Sequence, residues 1–148
     1  MKLLKIQEKV AAALGGIKAF NGVPVVVEDK GDIKARLDAA VAQASRCLLV
    51  QTPGFKATSS ASKVIVGTAP VIVQAVQRIV TTAKSTAQDM AEIVAWELNL
   101  LAVEGVGTIA FREITSQLLN DQTLAYAVRF EVQTTLGDPL DNGKEEAV

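Results

Sequence analysis

The chain predicts an α+β fold: a single twisted, mainly antiparallel sheet with helices packed mostly on one face. Three observations predict it. Residues 124–136 alternate, with Leu124, Tyr126, Val128, Phe130 and Val132 on one side of a pleat and Ala125, Ala127, Arg129, Glu131 and Gln133 on the other. That period of two marks a strand with one buried and one wet face, and a run of this length reaches about 44 Å. Three other stretches repeat apolar residues at helical spacing. The two kinds of segment interleave in the order α-β-α-β-β-α-β-β without internal repeats, and antiparallel hairpins interleaved with helices make one sheet under a helical roof.

Taken in order, residues 3–14 place Leu3, Ile6, Val10, Ala13 and Leu14 on one helical stripe, with Lys2, Lys5, Glu8 and Lys9 outside it. Gly15-Gly16 is expected to close that helix in the left-handed conformation, and Asn21-Gly22 marks a turn. The valine-rich run 23–28 reads as a strand, with Pro24 at its beginning or on an edge because proline lacks a donor. Asp32 is placed to cap a second helix lined by Ile33, Leu37, Ala40, Val41 and Ala44. That helix stops near Ser45 or Arg46, where Cys47-Leu48-Leu49-Val50 turns strand-like. Thr52-Pro53-Gly54 is a turn, and the small, polar residues 55–63 read as an exposed, mobile loop or hairpin tip.

Residues 64–80 fit a strand or, after Pro70, a helix; β-branched crowding and the proline favour a strand. Ser85 and Gln88 have capping-box spacing. A third helix follows, its stripe formed by Met90, Ile93, Val94, Leu98 and Leu101 and widened by Trp96 and Leu100. Asp89 and Glu92 suit its early turns, and Gly105 and Gly107 end the segment. Residues 108–119 and 122–136 form two long strands joined by a tight turn at Asn120-Asp121. Beyond them residues 137–148 are polar and acidic and read as a disordered tail on a single domain, residues 1–136.

Composition narrows the function. The 148 residues suit one core, and 49% are apolar. No apolar run approaches the roughly 18 residues of a membrane span, and the N-terminus does not read as a signal peptide. The lone cysteine has no internal partner and fits synthesis in a cytosol. Residues 137–148 carry a net −3 and the remainder a net +2; a nucleic-acid binder would show a concentrated basic stripe. Histidine is absent, which removes Ser-His-Asp and Cys-His catalysis, imidazole metal sites and histidine general bases.

The remaining chemical candidates have plain structural readings. Cys47 wants a cationic neighbour to become reactive, but Arg46, next to it along a strand, points to the other face. Glu28, Asp29 and Asp32 cluster as a turn plus a cap, and Lys30 opposes a calcium loop. Gly15-Gly16 and Gly105-x-Gly107 follow helices, whereas phosphate loops precede them. Trp96 and Tyr126 read as core. Arg129 and Glu131 form either a solvated ladder or a surface rigid enough to meet a neighbour.

The pattern of elements resembles the tail terminator, or tail completion, proteins of long-tailed bacteriophages, with minor tail or neck proteins of Mu-like prophages as a second likeness. The features that carry it are the amphipathic start at 3–14, the strand at 23–28, and the strand at 47–50 ending in Thr52-Pro53-Gly54. The polar loop at 55–63 follows, then the helix at 85–102 and the closing hairpin with Ala125-Tyr126-Ala127-Val128-Arg129-Phe130-Glu131-Val132. It spans about residues 1–136 and rests on element order, not on a short motif.

The resemblance implies a virion protein, made in the host bacterial cytoplasm, that caps the finished tail tube as a homo-oligomeric ring, usually of six copies. Its implied partners are the tail tube protein and the head-side connector; no membrane, sequence-specific nucleic acid, catalysis, cofactor or metal is implied. Lys56, Thr58, Ser59, Ser60, Lys63, Arg78, Arg129 and Glu131 are the candidate partner-interface residues, with Lys56, Lys63 and Arg78 expected to face an acidic surface. The competing expectations are a small, dimeric ligand-binding or regulatory α+β domain, and an enzyme working with carboxylates such as Glu28 or Asp32 and lysines.

Overall fold

At the centre of the computed structural model two long antiparallel strands lie side by side. They are β4 (Ile65–Arg78) and β7 (Thr123–Leu136), in unbroken register from Ile65 opposite Leu136 to Arg78 opposite Thr123. The structure describes residues 2–28, 32–59, 63–79, 86–120 and 122–137. The other elements are α1 (Lys2–Gly15), a 3-10 turn (Lys18–Phe20), β1 (Val25–Val27), α2 (Ile33–Ala44), β2 (Arg46–Gln51), β3 (Lys56–Ser59), α3 (Ala87–Leu98), β5 (Ala102–Val103) and β6 (Gly107–Asn120). The sheet runs β1-β2-β4-β7-β6-β5, with β3 paired to β4 off this path. Among the described residues only β1 and β2 are parallel; the mixed helix and strand content and the mostly antiparallel sheet are those the sequence predicts.

The alternation in β7 decides the layers. Val128, Phe130 and Val132 are buried beneath α1 and α3 in one core with Ile6, Val10, Leu14, Met90, Val94 and Leu98, and Val71 and Val73 of β4 join them. The opposite parity meets α2: Ala125, Val76, Cys47 and Leu49 pack with Ala40 and Val41 in a smaller cluster. Two helices thus roof one face, and the third covers a corner of the other.

Residues 71–78, which fit a helix or a strand by sequence, are strand. β2 pairs with β4 from Ile72 to Gln77 and β3 from Val66 to Thr68, so Pro70 falls at the changeover, where that edge of β4 has no paired residue. A missing N–H is cheapest at such a gap.

Several sequence expectations are sharpened or corrected. Of the two readings for residues 55–63, loop or hairpin tip, residues 56–59 follow the hairpin: they are a strand antiparallel to β4, all four exposed, held by backbone pairing rather than burial. Gly67 permits the pairing, because a Cβ there would collide with the Lys56 carbonyl oxygen. The cap of α3 lies one residue past the expected Ser85, which is outside the described residues: Thr86 accepts from the Asp89 amide at 3.2 Å and Asp89 accepts from the Thr86 amide at 3.2 Å. Helix α3 ends at Leu98 rather than near 102. Neither Gly15 nor Gly16 takes the left-handed conformation; α1 closes through bonds from the Gly16 and Ile17 amides to the Ala13 and Leu14 carbonyls, both 3.2 Å.

Asp32 caps α2 as expected, accepting from the Ala35 amide at 3.1 Å, and Ser45 ends that helix with φ 65°. The closing turn keeps Asn120, whose Oδ1 accepts from the Gln122 amide at 2.8 Å, while Asp121 lies outside the described residues. The expected disordered tail, 137–148, also lies outside them except for Gly137.

Candidate functional site

The candidate residues fall in three separate places. Lys56, Thr58 and Ser59 sit on β3 and Lys63 just before β4, all exposed; Ser60 is outside the described residues. This corner is ordered by two interactions: the Thr58 hydroxyl donates to the Val66 carbonyl at 3.1 Å, and β3 pairs with β4. It therefore mounts Lys56 on a paired strand, with Lys63 just before β4.

Arg78 lies at the far end of β4. Ten residues separate it from Thr68, about 33 Å along a strand. It lines a shallow hollow with Lys34, Asp38 and Leu119 between α2 and the β6–β7 turn. It does not join Lys56 and Lys63 in one patch.

Arg129 and Glu131 occupy the middle of the sheet, on the face away from α1 and α3. Each meets a residue of β6: Arg129 Nε lies 3.6 Å from Glu113 Oε1, and Arg112 Nε donates to Glu131 Oε2 at 3.1 Å. A register irregularity between Phe111 and Glu113 puts Arg112 and Glu113 both within reach of this ladder. These side chains are about half exposed, so each pair contributes little to stability. Nearby, Gln74 donates to Gln51 at 2.6 Å. The surface is polar and internally paired.

Cys47 is fully buried in the α2 cluster, and burial pushes its thiol up to about 12. A thiol held neutral is a poor nucleophile, in line with the inert reading. Among the described residues no group of three or more metal-ligating side chains forms, and no helix is long and apolar enough to cross a membrane.

Sequence reasoning missed two surfaces. Trp96 is not core: it is 84% exposed, and Leu100 is 68% exposed. On α3 the buried positions are Ala87, Met90, Ala91, Val94 and Leu98; at 100° per residue Trp96 and Asp89 project from the opposite side. Trp96 lines a surface depression with Asp89, Glu92, Ile93 and Glu97. The signal available was angular position, which hydrophobicity overrode.

The second missed surface is the outer edge of β6. β5 pairs only with Gly107 and Thr108, the Leu100 amide donates to the Ile109 carbonyl, and Asn99 Oδ1 accepts from the Phe111 amide. From 113 to 120 that edge has no strand partner among the described residues. An uncovered edge offers backbone donors and acceptors to another chain.

The architecture is thus a sheet with two helices on one face and one on the other, with β1, β3 and β5–β6 at its margins. No family model matches the chain, and no curated protein matches it. A chain from the virion of a native gene transfer agent particle is similar in structure: 12% identity, a TM-score of 0.65, and coverage of 91% of this chain and 96% of that one. A second solved chain is similar at 11% identity with a TM-score of 0.53, covering 92% and 94%. At these identities the likeness is one of fold.

Proposed function

We propose that this chain is a structural virion protein of a phage-like particle, which caps the end of the tail tube as a ring of copies and joins it to the head-side connector. The observation that carries the reading is the shared fold, end to end in both chains, with a component of a gene transfer agent virion. The tail terminator resemblance of the sequence points the same way and implies six copies. The chain acts by binding, and its partners are further copies of itself, the tube protein and the connector. A subunit of a closed ring needs two different surfaces that fit each other, and the exposed β3 corner, the Trp96 face and the β6 edge supply unlike surfaces for that purpose.

Electron micrographs of tails assembled with and without the chain test this. Caps at one tube end, and tubes of uniform length that accept heads, are expected when it is present. Tubes that end, grow and join heads identically without it would overturn the proposal.

A further inference from the structure

Charge is segregated along the chain in a way that overall composition hides. Residues 39–88 contain Arg46, Lys56, Lys63, Arg78 and Lys84 and no acid; residues 89–111 contain Asp89, Glu92, Glu97 and Glu104 and no base. The fold puts the middle of the basic block on β3 and the start of β4, and the acidic block on the outside of α3 and the β5–β6 turn. Helix α3 lies across β4, β7 and β6 with its C-terminal end held to β6, while β3 pairs with the other edge of β4. Each has exposed apolar surface beside its charges: Val64 and Val66, 49% and 45% exposed, on the basic side, and Trp96 on the acidic side. Among the described residues no ion pair engages Lys56, Lys63, Glu92 or Glu97.

We propose that copies join head to tail, the Trp96 face of α3 on one copy seating the β3 strand and the start of β4 of the next. The contact presupposes the ring proposed above and adds which surfaces meet. The occupant of the Trp96 face is a second copy because the complement it needs, cations flanking an exposed apolar strip, is carried by another part of the same chain, the β3 edge. Two unlike patches on one subunit make a heterologous contact, the kind that closes a ring. Tryptophan, with its large area and low conformational cost, is the residue type most often found at the centre of such contacts. The flanking charges set register and reject wrong pairings.

A charge swap tests it, with assembly read by sedimentation at low ionic strength and on tube ends. Glu92→Lys with Glu97→Lys makes both surfaces basic; Lys56→Glu with Lys63→Glu makes both acidic. Each double variant should assemble at least about tenfold more weakly than the unaltered chain, given the cost of facing like charges. An equimolar mixture of the two, and a chain carrying all four changes, should regain assembly. Trp96→Ala should weaken assembly while leaving the melting temperature within about a degree or two, since exposed sites cost little stability.

All these positions are exposed, and circular dichroism checks that each variant folds. If the doubles assemble like the unaltered chain, or the fourfold variant folds but stays apart, this contact is wrong while the ring stands. If the unaltered chain assembles neither alone nor on tubes, the ring itself fails, and this contact with it.

Discussion

On the face roofed by α1 and α3, Ile6, Leu14, Met90, Leu98, Val71 and Phe130 are at most 1% exposed, and Phe111 meets Phe130 edge-on with ring centroids 5.9 Å apart. On the other face α2 covers only a corner, where Cys47, Val76 and Ala125 are fully buried and Leu49, Val41 and Ala40 are 5–8% exposed; beyond that corner lie the Gln51–Gln74 bond and the Arg112–Glu131 and Arg129–Glu113 pairs. The first face is a closed hydrophobic core and holds most of the stability. The second pairs its polar groups side to side and has no helix over them. Stability is concentrated under the roof, while the surfaces proposed for contact lie outside it, on the outer side of α3 and along β3.

Truncations on the two faces sharpen that contrast. Phe130→Ala removes the largest fully buried side chain and should cost about 3–5 kcal/mol, against about 2–3 for Leu49→Ala under α2, where the thinner cover can relax. Denaturant titration of both variants checks the order, and equal losses would mean that α2 seals its face as well as α1 and α3 seal theirs.

Cys47 tests the α2 side through pH. Its thiol, raised to about 12 when folded, favours the folded state fully below the ordinary thiol value and loses that contribution as pH climbs toward 12. The slope is about 1.4 kcal/mol per pH unit. Cys47→Ala should flatten the alkaline limb of the stability profile, and a native-state thiol assay at mild pH should be slow until denaturant is added.

The smallest effect belongs to the open face. Arg129→Ala should cost under about 1 kcal/mol, and less in high salt. A larger loss would show that the ladder is structural and not merely solvated.

How much of this was readable in the sequence follows from which face each residue serves. The β7 alternation was legible because a roofed face and an open one impose opposite chemistry on alternate positions. The cover by α2 was not, because its partner on β7 is Ala125, which reads as neutral. Strand β3 was invisible: Lys56, Ala57, Thr58 and Ser59 are exposed on both sides, so nothing alternates, and only Gly67 opposite marks the close approach. The exposed cations at Lys56 and Lys63 were legible from composition, but their distance from Arg78 was not, since it depends on β4 running straight through Pro70. Trp96 was misread because a large apolar residue near a helical stripe looks like core; only its angle on α3 tells otherwise.

Because the chain has a single tryptophan, its fluorescence tests most directly whether the outer side of α3 is a surface that assembly covers. In dilute solution Trp96 should emit as a solvated indole and be quenched freely by acrylamide; on tube ends, or as copies associate, its emission should shift to shorter wavelength and quenching should fall. Assembly that leaves emission and quenching unchanged would contradict the account.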